Sequence, residues 1–256
     1  MLMNNKKIVV MGVANKWSIA WGIASKLKAH GAEIIYTYYG DASERNLKKL
    51  VEQETGESAV LISCDVSQDD SIKAAFKEIG DKFGRIDGVV HSIAHAKREE
   101  LEGRYCDTSR DGYLMAQEIS AYSLVAVAKQ ALPYLNPGSA FVTLTYLGGE
   151  RVVNNYNVMG VAKAALEASV RYLAKDLGQD GHRINALSAG PIKTLAAKGV
   201  SGLTDMKDAY MARSPLGRMV THDDISNTAL FLMSELSSGV TGENIHVDCG
   251  YHVMGV

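Results

Sequence analysis

The chain has 256 residues, 46% hydrophobic and 22% charged, with a formal net charge of −2. This is the composition of an ordinary globular domain, and its near-neutral charge, with no run of more than two Lys/Arg, excludes the basic footprint of a nucleic-acid binder. No apolar run approaches a membrane span, and the N-terminal stretch lacks the long apolar core of a signal peptide, so no membrane insertion and a cytoplasmic location are expected.

Short apolar runs alternate with helical patterns from the start. "KIVVMG" (7–12) reads as a buried strand, and "SIAWGIASKLKAHG" (18–31) as a helix with Ser18 at its N-cap and Gly31 at its end. Strand 33–38 and a charged helix, 42–55, follow. Strand 59–66, amphipathic helix 69–83 and strand 86–94 come next. The second half gives a long helix over 109–132, strand 139–146, helix 156–177 and strand 183–191. Residues 192–215 have no regular pattern. Helix 223–235 and strand 243–250 complete the series.

Strands alternating with helices predict a single-domain Rossmann fold spanning 1–256: a doubly wound, seven-stranded parallel sheet with helices on both faces. Ligands of such sheets bind beyond the carboxyl ends of the strands. The loops to inspect are therefore 12–17, 38–41, 65–67, 92–108, 145–155 and 189–215.

The first loop lacks G-x-G-x-x-G but keeps a glycine turn at Gly12 between a strand and a helix start. Backbone can still approach a pyrophosphate there, with the helix N–H groups aimed at it. Ser18 can cap the helix and donate to phosphate. After the second strand, "YTYYGDASER" places no Arg or Lys at the strand end, which favours NADH, with NADPH as the alternative. Asp65 reads either as an acceptor for the adenine amino group, with Val66 packed on the ring, or as a turn residue before helix 69–83.

Cys64, Cys106 and Cys249 form no C-x-x-C pair, and reduced thiols are expected. No metal site is expected. His91 and His95 follow an apolar run and read as polar residues lining a loop.

Tyr156 and Lys163 are seven apart in "TYLGGERVVNNYNVMGVAKAALEASVRYLAKDLG". Four residues along a helix advance about 6 Å, and seven about 10 Å, both returning near the same face. The longer step requires Tyr156 at or before the first turn, where Asn154 and Asn155 favour a turn or cap.

This stretch closely resembles the bacterial enoyl-acyl-carrier-protein reductases, the divergent branch of the short-chain dehydrogenase/reductase family. That group carries a Y-x6-K pattern with a second tyrosine ten residues upstream, here Tyr146, Tyr156 and Lys163. The resemblance extends through "VVMGVANKWSIAWGIA", "DGVVHSIAHA", "LSAGPIKTLAAKGV" and "SSGVTGENIHVDCGY", nearly the whole chain. It implies reduction of trans-2-enoyl thioesters on acyl carrier protein, in a homotetramer. Tyr156 would stabilise the developing enolate, Lys163 would hold the nicotinamide ribose, and Tyr146 would position the acyl chain. The cofactor-lining set it implies is Gly12, Ala14, Ser18, Ile19, Asp65, Val66, Ser92, Ile93, Ala94, Gly190, Pro191, Ile192 and Thr194. Met159, where an ordinary short-chain dehydrogenase carries its tyrosine, becomes a wall of the acyl pocket. Ala96, Leu101, Ala196, Val200 and Met206 are further lining candidates, and 192–215 becomes a lid.

Four positions depart from the family pattern. Trp17 replaces a basic residue, His95 an apolar or aromatic one, and Arg151 and Asn154 residues that are often apolar. Lys193, Lys198, Arg151 and Arg213 are basic candidates for guiding an acidic carrier. Two rival readings are a carbonyl-reducing short-chain dehydrogenase and a non-catalytic NAD(P)-binding sensor. The first requires a shorter Tyr–Lys step and a serine where this chain has Thr143.

Overall fold

The structure, a computed structural model, describes residues 1–192 and 206–255. Seven parallel strands form one sheet in the order β3-β2-β1-β4-β5-β6-β7. The strands are β1 (Lys7–Met11), β2 (Glu33–Tyr38), β3 (Leu61–Ser63), β4 (Ile86–His91), β5 (Leu135–Thr145), β6 (Arg183–Ala189) and β7 (Asn244–Val247). The helices between them are α1 (Ile19–Ala29), α2 (Asp41–Thr55), α3 (Asp69–Phe83), α4 (Arg110–Gln117), α5 (Ser123–Ala131), α6 (Asn157–Gln179), α7 (Met206–Arg213) and α8 (His222–Met233).

The alternation of apolar residues along β1 divides the core. Ile8 and Val10 join a cluster with Ala20, Ile23 and Leu27 of α1, Leu47 and Val51 of α2, and Ile225 and Ala229 of α8. Val9 and Met11 point to the other face, among Ile72, Phe76 and Ile79 of α3, Leu124 and Val127 of α5, and Leu166 and Val170 of α6. Both faces are buried, which explains why the strands read as continuous apolar runs. The order reverses between β1 and β4, and this switch point is where a dinucleotide binds in such sheets.

Several expectations need correction. Strand 59–66 shrinks to β3, because Asp65 turns the chain: its carboxylate accepts from Ser67 N at 3.0 Å and from Ser67 Oγ at 2.7 Å. The helix expected over 109–132 is α4 and α5 joined by a π-helical turn, Glu118–Tyr122. Ser18 occupies the N-cap position of α1 but makes no cap bond. Its Oγ instead accepts from Ala14 N at 3.1 Å and Asn15 N at 3.0 Å. The irregular stretch 192–215 contains α7. His91 is a core residue of β4, 1% exposed, and not a loop-lining one.

Candidate active site

Tyr146 follows the last residue of β5 and keeps extended backbone (φ −150°, ψ 151°). A 3-10 turn, Leu147–Gly149, then lies against α6. Asn155 adopts left-handed φ of 58°, a conformation Asn tolerates better than most residues. Tyr156 is the N-cap residue of α6, as the long Tyr–Lys step requires. The two tyrosine rings meet edge to face at 5.1 Å and 79°.

Glycines make this approach possible. A Cβ on Gly148 would collide with the Tyr156 ring, and one on Gly160 would lie 2.7 Å from Gly148 O. The Gly-Gly pair after a strand was the available signal, and a reading centred on side-chain chemistry missed it.

Lys163 is 5% exposed, and its Nζ donates to Leu144 O at 2.7 Å. Burial draws its pKa down to about 8, partly countered by Glu167. Burial also raises both tyrosines, Tyr146 to about 12 and Tyr156 further. Both hydroxyls therefore stay protonated at neutral pH and can donate hydrogen bonds. Thr143 of β5 and His91 of β4 are buried neighbours across the sheet. The His91 ring nitrogens are 3.0 Å from Thr143 Oγ1 and 2.8 Å from Ser123 Oγ. Burial, then the Lys163 charge, lowers His91 to about 3, so the imidazole is neutral.

An apolar patch adjoins Tyr156. Met159, Val158, Ala162 and Ala116 are buried together, with Ala96, Leu101 and Tyr156 packed against them. Ala96 follows His95, whose backbone is gripped twice by Ser120 of the π-helical turn. Ser120 Oγ accepts from His95 N at 2.9 Å and donates to His95 O at 3.1 Å.

The opposite side of the switch point has the shape of a dinucleotide cradle. Gly12 has φ +90°, and a Cβ there would land on Ser92 O, so β1 and β4 meet through bare backbone. Ser18 leaves the start of α1 without a side-chain cap, so its orphan N–H groups are available to an anion. Gly12 and Ala14 are exposed, while Ser18 and Ile19 are half-buried beside them. Val66 and Ile93 pack partly against the core. Ser92 is half-buried, and Ala94 and His95 are exposed at the end of β4. Gly190 N donates to Val247 O at 2.9 Å, and Ile192 packs on the core beside Pro191. These residues fit a nicotinamide dinucleotide. Among the described residues no group of three His, Cys, Asp or Glu could hold a metal ion.

Trp17 is exposed beside this cradle, its carbonyl oxygen 2.9 Å from His222 Nε2. Arg151 donates to Met254 O, while Asn154 and, on α7, Arg213 are exposed. Met206 opens α7. Tyr210 of α7 stacks on Tyr251 at 4.4 Å and donates to Asp248 O. Lys193, Thr194, Ala196, Lys198 and Val200 lie outside the described residues.

A switch-point cradle beside a tyrosine at the N-cap of α6 and a buried lysine seven residues on defines a dinucleotide-dependent oxidoreductase of the short-chain dehydrogenase type. The family model described as "Enoyl-(Acyl carrier protein) reductase" matches residues 12–252, and the chain belongs to that family. It is 54% identical to the enoyl-[acyl-carrier-protein] reductase [NADH] FabI of Bacillus cereus over 254 residues, 99% of each chain. It is 52% identical to the Staphylococcus aureus enzyme named as the [NADPH] form, covering 98% of each. A crystal structure of the Bacillus cereus reductase with NADP+ and indole naphthyridinone superposes with a TM-score of 0.97, covering 100% of this chain and 99% of that one.

Proposed function

We infer that this chain reduces the C2–C3 double bond of trans-2-enoyl thioesters on acyl carrier protein, the last step of the fatty acid elongation cycle. NADH is the preferred cofactor, with NADPH as the alternative. The observation that carries this reading is the Tyr156–Lys163 step on α6, with Tyr146 against Tyr156.

The cofactor, when bound, supplies the hydride to C3. Negative charge then develops on the thioester oxygen, and a neutral donor placed there lowers the barrier. Tyr156, kept protonated by burial, is that donor. Lys163, whose Nζ donates to Leu144 O, would hold the nicotinamide ribose hydroxyls, and its charge would favour the enolate. Tyr146 positions the acyl chain, whose apolar length runs along Met159, Ala96 and Leu101. Gly12, Ala14, Ser18 and Ile19 receive the pyrophosphate, with Ser92, Ile93, Ala94, Gly190, Pro191, Ile192 and Thr194 lining the cofactor. Val66 receives the adenine. The Asp65 carboxylate is already engaged by Ser67, which leaves Val66 as the better-supported contact.

The carrier protein is acidic, and exposed Arg213 with Arg151, Lys193 and Lys198 would guide it. Docking of that kind weakens as salt rises, so a kcat/KM for carrier-bound substrate that is insensitive to salt rejects it. A homotetramer built on the helical face of α4–α6 accords with exposed Tyr113, Leu114, Tyr122 and Tyr172 there. Light scattering tests the assembly.

One experiment tests the activity. NADH and NADPH oxidation are followed with crotonyl thioester and with acetoacetyl thioester. Turnover of the enoyl substrate is expected. Turnover of the oxo substrate alone would identify a carbonyl reductase, and cofactor binding without any turnover would identify a sensor.

A further inference from the structure

Glu167 stands one turn beyond Lys163 on α6, so it faces the same side of the helix. It is 7% exposed, and none of the chemistry above uses it. Thr145, the last residue of β5, donates its hydroxyl proton to Glu167 Oε1 at 2.6 Å. A Cβ on Gly149 would lie 2.6 Å from that same oxygen, so the carboxylate backs the turn between the two tyrosines. A buried carboxylate is costly unless hydrogen-bonded and paired, and so is a buried ammonium. Here the two occupy successive turns of one helix, Lys163 Nζ bonded to Leu144 O and Glu167 to Thr145, with no ion pair within 4.0 Å between them among the described residues, so their charges act on each other through space.

We propose that Glu167 is a positioning residue for the enoyl reduction: its Thr145-anchored carboxylate is the counter-charge for Lys163 beneath the two tyrosines. This rests on the role assigned to Lys163 above. Lys163 is faced by His91 from β4 and by Glu167 from its own helix. Glu167 is faced by Glu150 from the segment after β5, by Lys163 and Arg171 on α6, and by Tyr156. Burial lowers Lys163 to about 8 and raises Glu167, and the opposite charge of each limits the other's displacement. The state with both charges present therefore occupies the window above the raised Glu167 pKa and below about pH 8. Removing the carboxylate lets Lys163 fall further.

The test is the pH profile of kcat/KM for crotonyl thioester and of NADH affinity, in full-length wild type, Glu167→Gln and Glu167→Asp. Glu167→Gln is expected to move the basic limb to lower pH by about one unit, a tenfold loss at a fixed pH above it. Glu167→Asp is expected to keep the limb near its wild-type position. A folded Glu167→Gln enzyme whose basic limb coincides with wild type overturns the proposal. Should that variant not fold, Thr145→Val keeps the carboxylate but removes its donor, and the acid limb is expected to rise. An unmoved acid limb overturns the proposal equally. Lys163→Met separates the two levels: wild-type turnover in that variant rejects the role of Lys163 itself, whereas lost turnover with an unmoved Glu167→Gln limb rejects only the pairing.

Discussion

Tyr146 follows the last residue of β5, Tyr156 is the N-cap residue of α6 ten residues later, and their rings meet edge to face with centroids 5.1 Å apart. The contact holds the two rings together just beyond the carboxyl end of β5, and burial keeps each hydroxyl protonated. Their division of labour is open to direct measurement.

Tyr156→Phe removes the donor and leaves the ring contact in place. Loss of one such donor costs about 100- to 1000-fold in kcat. Turnover of crotonyl thioester is expected to fall by that order, with NADH affinity from fluorescence titration within about twofold of wild type. A loss of NADH affinity equal to the loss of kcat would move Tyr156 into the cofactor site.

Gly148→Ala introduces a methyl where the Tyr156 ring lies. The turn must retreat from α6, and overpacking of this kind costs about 1–3 kcal/mol. Thermal unfolding is expected to register that loss, with kcat falling as Tyr156 shifts. An unchanged Tm and kcat would contradict the packing described.

Ser120→Ala removes both side-chain hydrogen bonds to the His95 backbone together. Loss of an ordinary hydrogen bond costs about 0.5–1.5 kcal/mol. Because His95 precedes Ala96 of the apolar patch, KM for the enoyl substrate is expected to rise more than kcat falls. Equal effects on cofactor affinity and KM would show that the grip serves general stability instead.

His91 sets an acid-side stability limit. Its pKa falls from 6.5 to about 3 on folding, so between those values the unfolded chain binds a proton that the native state does not. The stabilisation is complete above about pH 6.5 and is lost as pH falls toward 3, at up to about 1.4 kcal/mol per pH unit. Urea melts at a series of pH values should show the slope. His91→Gln should be less stable at pH 7 yet flatter below 6.5, and a slope identical to wild type would exclude His91 as its source.

The order of strands and helices was legible because both faces of the sheet are covered, which makes central strands such as β1 and β4 largely continuous apolar runs. The Tyr156–Lys163 step was legible because helix geometry restricts where Tyr156 can stand. Other features were hidden by local ambiguity. Ser18 has the right identity and place for a cap, yet its oxygen is taken by the N–H groups of Ala14 and Asn15 in the preceding loop. The π-helical turn adds one residue to a helix whose apolar pattern continues across it, so periodicity gave no break. His91 looked like a loop residue because its buried partners, Thr143 and Ser123, are distant in sequence. Glu167 was readable in principle: an acid one turn after a lysine, inside an apolar helix face, is a pairing signal.

The meeting of Gly12 with Ser92 has a consequence for how the molecule is made. β1 is flanked by β2 and β4, and its pairing with β4 waits until residues 86–91 have left the ribosome. Translation adds about 5–20 residues per second, so the first strand spends seconds with one edge unpaired. The Gly12 turn packs against the carbonyl of Ser92, which is made only with that later segment. Cofactor can therefore favour the finished fold but not rescue the nascent N-terminal half, and mutations that weaken the β1–β4 seam should lower yield during synthesis more than they lower the stability of protein already folded.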